Sequence, residues 1–277
     1  MDKVSTLSNS MPFPAQEGRE AYILHLADNS LIMGHRLSEW TGHGPMLEQD
    51  IAISNIALDL IGQSRHFYQY AAALINSSHA SAHDAIPEKA TEDTLAYLRD
   101  ARGFRNLLIT ELPNGDWAKT MLRLFLFSSF QFYFYQELVH SSDVQLGAIA
   151  EKSLKEVTYH VRWSSEWVIR LGDGTEQSNR RIKTALEELW PYTGEMFEPA
   201  EYENLNKEKQ AGVAVSEIKK AWQKKVKDVL EEATIAYPPE EKIWMQTGGK
   251  NGFHSEHLGF ILAEMQFLQR AYPGCDW

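Results

Sequence analysis

A single cysteine, Cys275, stands in a chain of 277 residues, so no internal disulfide is available and cohesion must come from packing. Basic residues are also scarce. Against 38 Asp and Glu there are 27 Lys and Arg, a formal charge of -11 that argues against nucleic acid and anionic membranes as partners. Long hydrophobic runs are missing. The most apolar stretch, Met121 to Tyr135, contains Arg123, Ser128, Ser129, Gln131 and Tyr133, and is too short and too polar to span a bilayer. No sorting signal is recognisable in residues 1–16, which lack an apolar core and carry Pro12 and Pro14. The expectation is a cytoplasmic protein with a loose tail over 1–17 and one domain over 18–277. Common catalytic signatures are absent too: there is no Gly-x-Ser-x-Gly elbow and no P-loop spacing, and a lone tail thiol is a poor nucleophile.

What is present is helical periodicity from end to end, with no convincing strand, repeat or dividing linker, so the fold class is all-α. Helices are expected over Glu17–Trp40, stopped by Thr41-Gly42-His43-Gly44-Pro45, and over Met46 to about Asn76. A loop follows to Thr91, with His79 and His83 as weak metal candidates, and Thr91 caps a helix over Asp93–Glu111. Beyond the turn Leu112-Pro113-Asn114-Gly115-Asp116 come helices over Trp117–Ser141 and Asp143–Leu171, the latter stopped by Gly172-Asp173-Gly174. A helix over Ser178–Trp190 leads to an acidic irregular region holding Glu195, Glu198, Glu201 and Glu203. Ser216 is the expected cap of a lysine-rich helix to Ala236, whose charges read as a solvated face. The glycine-rich loop Thr247 to His254 precedes a final helix over Ser255–Ala271.

Two helices are too apolar for a simple surface position. The second is apolar all round except for a stripe of Asn55, Asp59, Gly62 or Gln63, and His66, which is either its solvent face or a lining of a polar bundle interior. The helix over Trp117–Ser141, with Phe125, Phe127, Phe130, Phe132, Tyr133, Phe134 and Tyr135, calls for cover on more than one side, by a partner chain or by an extra layer of helix.

Spacing decides which metal chemistry is open to the chain. Glu156 and His160 share one helix face, beside a seam of Leu146, Ala150, Ser153, Val157, His160, Ser164, Trp167 and Leu171. A dinuclear bundle site requires two Glu-x-x-His motifs, and the chain has one, Glu137–His140. The second helix offers only Gln63-Ser64-Arg65-His66, in which a neutral amide replaces the bridging carboxylate. A zinc site from His254, Glu256 and His257 fails because adjacent helical residues point apart. Backbone N–H groups of the glycine-rich loop, with Lys250, form a candidate anion site; otherwise the loop is structural or a contact between subunits.

The segments Leu26-Ala27-Asp28-Asn29, Leu37 to His43, Asn55 to Arg65, Pro113-Asn114-Gly115 and Thr247 to Lys250 through Glu256-His257-Leu258-Gly259 occur in order. Together they resemble the family of non-catalytic, ferritin-like subunits (PaaC type) of bacterial phenylacetyl-CoA ring epoxidases, over about Glu20 to Trp277. The tail and the loop Ser77–Thr91 are longer than that pattern. The resemblance implies a ferritin-like four-helix bundle with additional helices, and a structural and regulatory role in a multicomponent monooxygenase. It implies no cofactor here, di-iron on a catalytic partner, FAD and an iron–sulfur cluster on a partner reductase, and a small coupling subunit. Self-association stays open. On this reading Glu39, Asp59, Gln63, Glu156 and His160 are degenerate metal positions, with Glu156 and His160 pairing in the space metals fill in the catalytic relative. Gly249, Lys250, His254, Glu256 and His257 are the expected contacts to a partner or to CoA. Two alternatives stand: an autonomous di-metal oxidase using Glu39, Glu137, His140, Glu156 and His160, and a helical adaptor unrelated to oxygen chemistry.

Overall fold

The computed structural model describes residues 18–79, 89–239, 244–273 and 275. The expected tail, His83 and the side chain of His79 lie outside them. Among the described residues there are eleven α-helices and no strand. In chain order the helices are α1 (Arg19–Ser38), α2 (Leu47–His79), α3 (Glu92–Tyr97), α4 (Leu108–Glu111), α5 (Trp117–Leu138) and α6 (Val144–Gly172). They are followed by α7 (Glu176–Leu189), α8 (Glu201–Glu208), α9 (Val215–Glu232), α10 (Glu256–Met265) and α11 (Phe267–Ala271).

The four long helices α1, α2, α5 and α6 form the bundle: α1 packs on α2, α5 on α6, and α2 meets α6. Local chemistry sets their ends. Asp116 caps α5 by accepting from the Lys119 N–H, and Asp143 caps α6 by accepting from Gln145 and Leu146. One end of the bundle is pinned by four tryptophans. The Trp117 ring meets Trp40, Trp163 and Trp167 edge-on, with centroids 5.1, 6.0 and 5.5 Å away. The Trp40 and Trp167 indoles donate to Thr120 Oγ1 and Gln49 Oε1.

The aromatic helix α5 is covered by an extra layer of the same chain, which settles one of the two expected sources of cover. Helices α7 and α9 pack on it, and Trp222 of α9 lies against Trp190 and Phe197 while its Nε1 donates to the Leu126 carbonyl at 2.9 Å. Phe125, Phe127, Phe130 and Phe134 are buried, each worth roughly 1.5–3 kcal/mol relative to exposure.

Helix α8 occupies part of the stretch expected to be irregular, α7 begins at Glu176 instead of Ser178 and α9 ends at Glu232 instead of Ala236, and three further departures from expectation concern caps and breaks. The single helix over Asp93–Glu111 is broken after Tyr97, although Thr91 does cap α3 in a reciprocal pair with Thr94. The break occurs because buried side chains of α1 capture the backbone there: Asp28 accepts from the Arg105 N–H and Asn29 from the Leu107 N–H, both at 2.8 Å. Ser216 does not cap α9, which begins at Val215, so the serine sits exposed in the first turn. The last helix is interrupted at Gln266, whose side-chain amide turns inward to donate to the carbonyls of Ala96 and Arg99.

Candidate functional site

The polar stripe of α2 and the seam of α6 meet along one line. Where α2 passes α6, polar side chains bridge the two helices in successive rungs. Gln49 accepts from Trp167, Asp59 Oδ2 pairs with His160 Nε2 at 3.0 Å, Gln63 Nε2 donates to Glu156 Oε2 at 2.9 Å, and His66 Nε2 accepts from Lys152 Nζ at 2.7 Å. The last three rungs are four and then three residues apart on α2 and four apart each time on α6, which is what side-by-side helical faces require. Glu156 and His160 therefore do not form the pair expected from sequence; each reaches across to α2. Asn55 alone of the stripe is exposed to solvent.

Burial decides how this set behaves. His160 and Gln63 are buried, while Asp59 stays about a third exposed. His160 Nδ1 and Gln63 Oε1 are buried without a hydrogen-bond partner. Burial and the neighbouring Lys152 ammonium lower the His66 pKa, so a neutral ring accepts from lysine. At the same level α1 and α5 present Ser30, Gln131 and Tyr135, with the Tyr135 hydroxyl between the other two and Phe67 of α2 stacked on its ring. Burial raises that hydroxyl's pKa, so it stays protonated.

A dinuclear centre needs bridging carboxylates from four helices. The residues here do not fit one: the α2 position is an amide donating its N–H to the glutamate opposite, and α1 and α5 offer a hydroxyl, an amide and a phenol. Among the described residues no group of three or more His, Cys, Asp or Glu side chains is placed to hold a metal ion. Glu39 takes part in none of the rungs. Its carboxylate takes Arg36 Nη1 at 2.7 Å and Asn114 Nδ2 at 2.8 Å. The one matched Glu-x-x-His pair, Glu137 and His140, lies at the far end of α5 with both residues open to solvent.

The glycine-rich loop does hold an anion, and the anion is the protein's own. Glu195, buried, accepts from the N–H groups of Gly248 at 2.8 Å and Lys250 at 3.4 Å through one oxygen, and from Leu108 at 2.9 Å through the other. Lys250 points inward, its ammonium 2.8 Å from Glu203 and 2.9 Å from the Glu198 carbonyl. Gly249 is obligatory, because a Cβ there would collide with the Asn106 carbonyl. His254 is likewise enclosed, with Nδ1 2.8 Å from Glu111 and Nε2 2.9 Å from the Phe104 carbonyl. Ser255 caps α10, and of the five contact candidates only Glu256 and half-buried His257 reach solvent.

Sequence reasoning missed the buried network on α1. Asp28, fully buried, receives Arg99 and the Tyr68 hydroxyl, and Arg99 also donates to the Gly103 carbonyl at 2.7 Å. His25 Nδ1 lies 2.7 Å from the Arg105 carbonyl and Nε2 3.8 Å from Glu203. A signal for this network does exist: polar residues at positions 25, 28, 29 and 30 interrupt the apolar run from Ala21 to Gly34.

A profile of phenylacetic acid catabolic proteins, covering the PaaA and PaaC types, matches residues 5–277. The chain is 42% identical over 257 residues to the C component of the 1,2-phenylacetyl-CoA epoxidase of Escherichia coli strain K12, an alignment covering 93% of this chain and 98% of that component. With an all-α ferritin-like bundle and its additional helices in place, the chain belongs to the PaaA/PaaC family of phenylacetic acid catabolic proteins.

Proposed function

We propose that this chain is a non-catalytic structural and regulatory subunit of a multicomponent phenylacetyl-CoA epoxidase acting in aerobic phenylacetate breakdown. The observation that carries this reading is the Gln63–Glu156 rung. An amide N–H occupies the glutamate lone pair that a bridging metal would need, and the seam is closed by protein–protein hydrogen bonds. On this reading the di-iron centre belongs to a catalytic partner, FAD and an iron–sulfur cluster belong to a reductase, and the assembly also includes a small coupling protein and works in the cytoplasm. Among the described residues no helix is long and apolar enough to cross a membrane, which suits that setting.

The docking surface is the outward face of α2, where Leu47, Ile51 and Leu58 are 72%, 52% and 65% exposed, with Tyr159 of α6 also outward. The aromatic helix α5 is expected from its composition to share in docking, but α7 and α9 pack on it, so this reading assigns the partner to α2. Separating the co-purified subunits and quantifying iron on each tests the proposal. Iron is expected on the partner alone. Two irons per chain with oxygen consumption by the isolated protein would instead establish the autonomous oxidase, and absence of any epoxidase partner would leave a helical adaptor.

A further inference from the structure

Helix α9 concentrates positive charge on a strongly acidic molecule. Lys219, Lys220, Lys224, Lys225 and Lys227 lie within nine residues, and between Ser216 and Lys227 the only acidic residue is Glu217. That glutamate is engaged elsewhere, 3.2 Å from Lys207. Among the described residues none of the five lysines has a carboxylate within ion-pair distance. Many cations at other surface positions are paired, as in Arg65–Glu92 at 2.8 Å and Lys119–Glu188 at 2.6 Å, and among the described residues unpaired ones such as Lys183 and Lys209 stand singly. In a chain with eleven more acidic than basic residues (38 against 27), unpaired lysines in one place are a departure from the rest of the surface.

The helix beneath them is rigidly held. Ile218, Trp222, Val226, Val229 and Leu230 are buried, so the lysines are presented from a fixed backbone. Lys220 and Lys224 are four apart and Lys224 and Lys227 three apart, so like charges share one face and repel. A partner bringing carboxylates would relieve that repulsion.

We propose that this face of α9 is a docking surface for an acidic patch on a protein partner distinct from the one seated on α2. The proposal rests on the reading of the chain as one member of a multicomponent assembly. The dimensions favour a protein over a polyanion. From Lys219 to Lys227 is about 12 Å of helix. The patch then runs into Asp228, Glu231 and Glu232 on the same helix, so a nucleic acid or an anionic membrane would meet repulsion within one screening length, while a protein surface can match the alternation.

The test uses the full chain and each purified component of the epoxidase assembly as probe, with binding measured at low and at physiological ionic strength. For one component the wild-type affinity is expected to fall with salt. The Lys220→Glu, Lys224→Glu, Lys227→Glu triple variant should bind that component at least about tenfold more weakly. The corresponding triple Lys→Arg variant should bind as wild type, and circular dichroism with thermal melting shows that both are folded. If every component binds the charge-reversed variant as it binds wild type, the proposal is overturned while the assembly reading stands. It is also overturned if a duplex oligonucleotide or phosphatidylserine vesicles displace the component at equal charge. If wild type binds no component at all, the assembly reading fails and this proposal with it.

Discussion

At the scale of single residues, two substitutions discriminate a closed polar seam from a metal site. Gln63→Glu places a second carboxylate against Glu156 in a buried position, where neither can be fully hydrated. A loss of about 1–3 kcal/mol at neutral pH is expected in urea unfolding, and acidification should recover part of it. If the variant were as stable as wild type, the rung would not be the buried contact described. The two enclosed histidines make opposite contributions to pH dependence. Burial pushes His25 below its ordinary value, so its contribution is present above about pH 6.5 and is lost as pH falls below that. Burial alone would lower His254 too, but the hydrogen bond and charge of Glu111 outweigh it and raise the imidazole. Its contribution is full below about pH 6.5 and is lost as pH rises through the elevated folded value. His254→Asn should therefore flatten the decline of stability on the alkaline side, read as melting temperature against pH, and leave the acid limb set by His25.

At the scale of elements, the informative unit is the irregular segment from Leu98 to Leu107. Asp28 and Arg99 form a buried ion pair, and Asp28 also holds the Arg105 N–H, so Asp28→Ala leaves a buried guanidinium without its carboxylate. A cost of about 3–5 kcal/mol is expected. Amide hydrogen exchange should show the segment after α3 losing protection before the long helices do. This segment also marks the limit of what sequence discloses. Long helices with strong periodicity are legible: α1, α2, α5 and α6 lie where the apolar spacing puts them, and the seam from Leu146 to Ser164 is buried as read. The stretch 93–111 has helical composition and reads as one helix. It is not one, because the donors that an i to i-4 ladder would use are taken by carboxylate and amide groups about 80 residues earlier. No local pattern encodes a competitor at that distance. The rungs are half legible for a related reason. Glu156 and His160 read as inward-facing and Asp59 and Gln63 as a stripe facing either solvent or the bundle interior, but their partners depend on the rotation of α2 against α6. Lys250 illustrates the opposite error: a lysine in a glycine-rich loop suggests an exposed anion site, yet its ammonium is claimed by Glu203 and the loop's N–H groups by Glu195, both distant in sequence.

At the scale of the whole molecule, the distribution of apolar surface separates folding from assembly. The chain covers its own aromatic helix, yet leaves Leu47, Ile51 and Leu58 outward on α2. Ile51→Glu with Leu58→Glu should change stability by no more than about 0.5 kcal/mol, since neither side chain is in the core. The same variant is expected to abolish co-purification with the catalytic partner that we propose, as judged by size-exclusion chromatography. If the complex survives, another face docks. The closure of the molecule also has a consequence for its synthesis. The Tyr22 hydroxyl in the first turns of α1 accepts from the Val213 N–H, and the Gly18 carbonyl accepts from Asn206, contacts 191 and 188 residues apart. A ribosome adds roughly 5–20 residues per second, so the start of α1 waits on the order of 10–40 seconds for the partners that complete it. Until then an apolar helix stands without its cover, and the nascent chain is a natural client for a chaperone or for early pairing with another protein of the assembly.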